Sequence, residues 1–139
     1  METLILDTGP LVAYLSAGEQ AHTWVAKVFR GIKPPVLTCD AVLTEAYYLL
    51  SKDNTATERL HDLIVRGVIV SVFDSSGQVE RLVRLMQRYA DIPMPFADAC
   101  VVCMTEELPT SRVFTLDSDF HVYRRHGRQP IPVLMPNAS

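Results

Sequence analysis

Two aspartates stand where a ligand site would be built. Asp7 follows the short apolar run Leu4–Leu6, and Asp117 follows Val113–Leu116, so each lies at the end of a predicted strand. In open parallel sheets, ligands bind outside the carboxyl ends of the strands. The other interpretation is that each aspartate caps the helix that follows it. Taken singly, neither aspartate distinguishes a ligand site from a helix cap.

A third acid, Asp98, lies in a segment that is apolar on almost every side. The segment Pro95–Met104 predicts a buried helix. A lone buried carboxylate costs several kcal/mol unless it is paired, hydrogen-bonded or bound to metal. Its place in the first helical turn contributes only about 0.3–1 kcal/mol through the helix dipole. We therefore favour a functional role for Asp98.

Glu45 is the fourth candidate and the weakest when taken singly. It is the only charged residue in Ala41–Leu50, although a glutamate on a helix usually faces solvent. Four carboxylates at one sheet edge would repel one another and raise their own pKa values. A hard divalent cation, Mg²⁺ or Mn²⁺, removes that conflict. The chemistry suited to such a cluster is metal-assisted phosphodiester hydrolysis.

Other catalytic or metal-binding arrangements are poorly supported. The sequence contains no G-x-S-x-G elbow, Walker loop or G-x-G-x-x-G motif. Cys100 and Cys103 form a C-x-x-C pair inside an apolar run, without a second pair at zinc spacing, and are predicted to be buried free thiols. His22 and His61 are interpreted as surface helix residues.

The predicted secondary structure alternates between strands and helices. Strands are predicted at Leu4–Leu6, Pro34–Thr38, Val68–Phe73, Arg112–Leu116 and Ile131–Leu134, the last as an edge strand. Helices are predicted over Leu11–Phe29, from an N-cap at Asp40 to about Lys52, over Thr57–Arg66, and from Pro95 to Glu106 or Glu107. A further helix is predicted from Ser76 or Gly77 to Tyr89, with Val79, Leu82, Val83 and Met86 on its apolar face. This alternation predicts a three-layer α/β/α fold with a central parallel sheet of four to five strands.

Composition sets the broad class. The chain has 139 residues, and 48% of them are apolar. We therefore expect residues 1–139 to form a single domain that is ordered except at Pro136–Ser139. The net charge of −3 argues against an extensive basic surface for nucleic acid, although Tyr123–Arg128 is a local basic stretch. An acid in the first residues, a short apolar run and an odd number of cysteines predict a cytoplasmic protein without a signal peptide or membrane span.

Four blocks, taken in order, resemble the PIN-domain family and more narrowly its VapC-like prokaryotic branch. The blocks are Ile5–Val12, Leu43–Ala46, Phe96–Ala99, and Thr115–Phe120 followed by Val122–Arg124. Each block alone is weakly specific. Their order and spacing along nearly the whole chain carry the resemblance.

The resemblance implies a fold, a site and an activity. Asp7, Glu45, Asp98 and Asp117 would be the acidic quartet around Mg²⁺ or Mn²⁺, with Asp119 as an auxiliary acid and the hydroxyls of Thr8 and Thr115 bonded to carboxylates or metal-bound water. The substrate would be RNA, cut by water to leave a 5′-phosphate and a 3′-hydroxyl. Many members are toxins silenced by an antitoxin whose tail reaches the acidic site, and homodimers are common. Ser118 stands where many relatives carry a basic residue.

The RNA-binding surface and the biological role stay open at this point. Candidate phosphate contacts are Arg112, Arg124, Arg125 and Arg128, with His121 and His126 nearby, although ordinary solvated side chains explain them equally well. The alternatives to a toxin are an orphan RNA-processing nuclease, a catalytically silent PIN-like binding module, and a metal-dependent phosphatase or DNA nuclease.

Overall fold

A parallel sheet forms the centre of the structure, a computed structural model that describes residues 2–137. The strands within these residues are β1 Thr3–Leu6, β2 Val36–Cys39, β3 Ile69–Phe73, β4 Ser111–Phe114, β5 Arg124–Arg125, β6 Gln129–Pro130 and β7 Val133–Leu134. Five of them form the central sheet in the order β3-β2-β1-β4-β7, with every pairing parallel. The short strands β5 and β6 form a separate antiparallel hairpin.

Helices connect the strands of the central sheet. They are α1 Thr8–Leu15, α2 His22–Gly31, α3 Asp40–Leu49, α4 Asn54–Val65, α5 Val79–Arg88 and α6 Phe96–Glu107. Two 3₁₀ turns, at Ser75–Gln78 and Ser118–His121, follow β3 and β4.

Neighbouring residues of one strand enter opposite cores. Val113 of β4 belongs to the apolar cluster beneath α6, whereas Phe114 belongs to the cluster beneath α1 and α2. Ile5 and Leu6 of β1 divide in the same way, as the two-residue period of a strand requires. The sheet therefore has a core on each face, and the predicted three-layer fold with a five-stranded parallel sheet is confirmed.

The register of the central strands brings their carboxyl ends to one edge. Leu6 of β1 is paired with Phe114 of β4, and Ile5 is paired with both Val113 and Leu37. The backbone N–H of Asp7 then donates to the carbonyl of Phe114 at 3.0 Å. The residues that follow β1, β2 and β4 consequently lie beside one another.

The single helix predicted over Leu11–Phe29 is wrong: the structure has two helices, α1 and α2, separated by residues 16–21. Gly18 lies in the break and favours it, since glycine destabilises a helix interior. The ring Nδ1 of His22 lies 2.7 Å from the carbonyl oxygen of Ala13 in α1, which gives this carbonyl a partner where the helix ends. His22 is half-buried in this contact, so its prediction as a surface residue is also wrong.

Several predicted boundaries and one helix face differ from the structure. Helix α4 begins three residues before the predicted Thr57, because Asp53 caps its first turn by accepting from the N–H of Ala56 at 3.0 Å. On α5, Leu82 is buried, but Val79 and Val83 are 55% and 40% exposed, so the predicted apolar face is only partly correct.

The remaining expectations concern the cysteines, the ends of the chain and membranes. All three cysteines are buried free thiols, as predicted for Cys100 and Cys103. Of the predicted disordered segment Pro136–Ser139, residues 138 and 139 lie outside the described residues, as does residue 1. Within residues 2–137, every helix is too short or too polar to cross a membrane.

Candidate metal centre

The four candidate acids line one open pocket of about 450 Å³ at the carboxyl edge of the sheet. They arrive from four different places in the fold: after β1, within α3, at the start of α6 and after β4. The complete lining is Asp7, Thr8, Gly9, Glu45, Pro95, Asp98, Leu116, Asp117 and Ser118. The structure thus brings together residues that are up to 110 positions apart in the sequence.

Local structure explains where each carboxylate sits. Asp7 precedes the first turn of α1, and Asp117 precedes a 3₁₀ turn and accepts from the N–H of Asp119 at 2.9 Å. Asp98 lies in the first turn of α6, and Glu45 lies midway along α3. Three of the four acids therefore stand at the start of a helical segment, where backbone N–H groups favour negative charge.

The acids divide into a buried pair and an exposed pair. Asp7 and Asp98 are only 6% and 7% exposed, whereas Glu45 and Asp117 are exposed. Helix α6 is buried over nearly its whole length, from Ala97 to Thr105, as the apolar segment around Asp98 predicted. The buried pair must be stabilised by neighbouring groups, because a buried carboxylate without partners is costly.

Each buried carboxylate accepts a hydrogen bond from one side-chain hydroxyl. Thr115 Oγ1 donates to Asp7 Oδ2 at 2.7 Å, and it also accepts from the N–H of Asp117 at 3.0 Å. Tyr123 donates its hydroxyl to Asp98 Oδ2 at 2.9 Å. One threonine therefore links the ends of β1 and β4, and one tyrosine links α6 to the segment after β4.

Burial and mutual repulsion raise the pKa values of both buried acids. Desolvation raises the pKa of Asp7 to about 6, with smaller contributions from the charges of Asp117 and Glu45, while the bond from Thr115 opposes the shift. Desolvation and the charge of Asp7 raise the pKa of Asp98 to about 7, while the bond from Tyr123 opposes the shift. Both shifts have the direction expected of buried carboxylates that lie near one another.

The lining suits a hydrated Mg²⁺ or Mn²⁺ ion. Within residues 2–137, no group of three or more His, Cys, Asp or Glu side chains forms a ready-made direct ligand set. Mg²⁺ does not need one, because it keeps several water ligands and is usually held through one or two carboxylates. The hydroxyl of Thr8 is buried in the pocket wall and has no hydrogen-bond partner among the described residues, so it is available to a metal-bound water. The donor set and this unpaired hydroxyl fit the ion.

The four candidate arginines lie away from the pocket lining. Arg112 is the second residue of β4, near the end of the strand that lies away from Asp117, and it pairs with Glu2 at 2.8 Å. Arg124 donates to the carbonyls of residues 121–123, and Arg125 donates to those of Thr105 and Pro109. Arg128 is exposed in the turn between β5 and β6. The guanidinium groups of Arg124 and Arg125 are therefore hydrogen-bonded to backbone carbonyls of the chain. Arg112 lines a separate pocket together with Trp24 and Lys27.

The other predicted auxiliary residues are distributed between the pocket and its support. Of the predicted auxiliary residues, Thr8 lines the pocket and Asp119 does not. Ser118, which was not predicted as an auxiliary residue, also lines it. The carbonyl of Asp119 accepts from the N–H groups of Val122 and Tyr123, so this residue shapes the turn after Asp117. His121 and His126 are exposed, and neither lines the pocket.

Tyr123 is the contact that sequence reasoning missed. From the sequence it was assigned no site role and was placed only in the basic stretch Tyr123–Arg128 and in the block Val122–Arg124, yet it is completely buried. A buried tyrosine among arginines was a usable signal, because its hydroxyl needs a polar partner. Nothing in the sequence indicated that the partner would be Asp98, 25 residues earlier.

A three-layer parallel fold with acids at its carboxyl edge is a fold that known protein families share. The chain matches the PIN domain family over residues 4–125 and belongs to it. Among curated proteins, ribonuclease VapC26 of Mycobacterium tuberculosis is 26% identical over 125 residues, which cover 88% of each chain. The predicted resemblance to this family and its VapC-like branch is confirmed.

A solved structure supports the fold independently. The crystal structure of VapC20 of Mycobacterium tuberculosis, described as a sarcin-ricin loop cleaving toxin, matches with a TM-score of 0.78. The match covers 92% of this chain and 100% of that one at 19% sequence identity. At this identity the likeness bears on the fold alone.

Proposed function

We propose that this chain is a divalent-metal-dependent endoribonuclease of the VapC type, in which Asp7, Glu45, Asp98 and Asp117 hold Mg²⁺ or Mn²⁺. The observation that carries the proposal is the convergence of these four acids on one pocket at the carboxyl edge of the sheet. Membership of the PIN domain family and the relative named as a ribonuclease support RNA as the substrate.

The chain's own residues prepare the pocket for a cation. The raised pKa values, about 6 for Asp7 and about 7 for Asp98, mean that both acids lose their protons at a higher pH than an ordinary aspartate, and a cation that compensates their charge would favour this loss. Thr115 and Tyr123 orient the two carboxylates, and Thr8 offers a free hydroxyl. A divalent ion in such a site polarises the phosphoryl oxygen and lowers the pKa of a bound water.

The proposal extends to partners. It comprises a single nuclease domain over residues 1–139, which acts in the cytoplasm as the toxin of a toxin–antitoxin pair and forms a homodimer. The name of the curated relative, ribonuclease VapC26, supports a VapC-type role. Phosphate contacts from Arg112, Arg124, Arg125 and Arg128 stay a prediction, and Arg128 is the most accessible of them in the structure.

The decisive test is RNA cleavage by the purified protein with Mg²⁺, with Mn²⁺ and with EDTA. Asp98→Asn should lower cleavage by about 100-fold or more while the fold survives, because the amide is a weaker ligand of nearly the same shape. Asp62→Asn makes the same chemical change on the exposed surface of α4 and should cleave like the wild type. An inactive wild type whose melting temperature does not rise with metal would favour a silent binding module.

A further inference from the structure

Tyr123 is held in one orientation beside Asp98, which lines the acidic pocket. Its side chain is completely buried, and its ring meets Phe120 at 5.1 Å and Tyr89 at 5.2 Å between centroids, both edge-on. Its backbone N–H donates to the carbonyl of Asp119 at 3.1 Å, so the residue is anchored to the turn that Asp117 begins. Both ends of the tyrosine are therefore fixed by the fold.

We propose that Tyr123 is a positioning residue for metal binding, which it serves by orienting the carboxylate of Asp98. This inference rests on the proposed function, since it concerns the same site. The phenol donates to Oδ2 of Asp98 at 2.9 Å, which leaves Oδ1 as the oxygen available to a cation. Rotation of an aspartate carboxylate is otherwise only weakly restricted. The hydrogen bond therefore determines which carboxylate oxygen Asp98 presents to a cation and in which direction that oxygen points.

The arrangement matches what is known in general about metal-binding carboxylates. Such ligands are themselves hydrogen-bonded, and removal of the supporting partner typically weakens metal affinity by about 10- to 100-fold. Asp7 already shows the same arrangement through Thr115. Tyr123 gives Asp98 the equivalent support, so each of the two buried acids is oriented by a hydroxyl of the fold itself.

The competing explanation is that Asp98 serves only as the hydrogen-bond acceptor that the buried hydroxyl of Tyr123 needs. In that case removal of the hydroxyl would alter stability but not metal binding. Tyr89→Phe is the matched control, because it removes a phenol hydroxyl from the ring that contacts Tyr123, and this hydroxyl accepts from the N–H of Arg124 instead of touching an acid.

The test measures Mn²⁺ binding by calorimetry without RNA, for the wild type, Tyr123→Phe and Tyr89→Phe. We expect the Kd for Mn²⁺ to rise about 10- to 100-fold in Tyr123→Phe and to stay within about twofold of the wild type in Tyr89→Phe. In cleavage assays, the Mn²⁺ concentration for half-maximal rate should rise in parallel, while kcat at saturating Mn²⁺ largely recovers. In an Asp98→Asn background, Tyr123→Phe should have no further effect on Mn²⁺ affinity.

Each other outcome has a defined meaning. A folded Tyr123→Phe variant with wild-type Mn²⁺ affinity overturns the positioning role and leaves the nuclease intact. A wild type that binds no Mn²⁺ overturns the proposed function, and the positioning role with it. If Tyr123→Phe does not fold, 3-fluorotyrosine at position 123 keeps both the ring and the hydroxyl. Its ¹⁹F resonance should shift on addition of Mg²⁺ more than that of a 3-fluorotyrosine at position 89. Equal shifts at the two positions would overturn the proposal.

Discussion

At the scale of single residues, the site combines two oriented acids with two exposed ones. Asp7 and Asp98 are buried and accept hydroxyl hydrogen bonds, whereas Glu45 and Asp117 are exposed. The sequence indicated a role for Asp98 because its helix is apolar on nearly every side. It could not indicate the supporting tyrosine, since that pairing depends on how the chain turns after β4.

Removal of the Thr115 hydroxyl should destabilise the protein. Thr115→Val leaves Asp7 and the N–H of Asp117 without their shared partner, which should lower the free energy of unfolding by about 1–3 kcal/mol at neutral pH. Thr115→Ser retains the hydroxyl and should lower the free energy of unfolding by a distinctly smaller amount. Urea unfolding with EDTA measures both, and equal losses in the two variants would show that the methyl group rather than the hydroxyl stabilises the strand end.

At the scale of secondary structure, sequence patterns located the strands better than the helix ends. Short β-branched runs bounded by turn residues located the five strands of the central sheet to within two residues. Helix ends depend on single side chains, such as Asp53 at α4 and His22 beyond the end of α1, whose contacts are made only in the folded chain. The β5–β6 hairpin was not predicted, because two-residue strands carry no periodic signal.

The Asp53 cap provides a test at this scale. Asp53→Ala removes the acceptor for the Ala56 N–H and should lower the free energy of unfolding by about 1 kcal/mol. Asp53→Asn keeps a capping oxygen, so its free energy of unfolding should stay close to that of the wild type. Thermal melts of the three proteins give the comparison. Mn²⁺ affinity should be unchanged throughout, and a change in it would mean that α4 supports the acidic site.

At the scale of the whole molecule, the alternation of strands and helices predicted the layers, but it did not predict the strand order. The order β3-β2-β1-β4-β7 places β1 between strands that follow it by about 30 and 105 residues. Pairing partners at such distances are set by the packing of both faces of the sheet, which local patterns do not record.

Stability without metal should decrease as the pH rises. The pKa values of Asp7 and Asp98 are raised from the ordinary 3.8 to about 6 and about 7. The folded chain therefore binds more protons than the unfolded chain, and the stabilisation present at low pH is lost as the pH passes through 6 to 7. Between pH 5 and pH 8 the free energy of unfolding with EDTA should fall by roughly 2–4 kcal/mol.

Variants and metal distinguish this effect from general pH sensitivity. Asp98→Asn should flatten the pH dependence and be more stable than the wild type at pH 8 with EDTA, because it removes one of the repelling charges. Asp62→Asn should keep the wild-type slope, and saturating Mg²⁺ should reduce the slope in the wild type. A lower stability of Asp98→Asn at pH 8 without metal would contradict the proximity of the four acids.

The pairing of β1 with β4 also bears on when the protein acquires its chemistry during synthesis. Asp7 is made before the other three acids, but its partner Thr115 lies 108 residues later, and the carboxylate of Asp117 is later still. Contacts between such distant segments form late, because a large loop must close first. A growing chain therefore carries three of the four acids before the pocket that they line is complete. Under the proposed function, it cannot cut RNA until the ribosome has made most of the PIN domain.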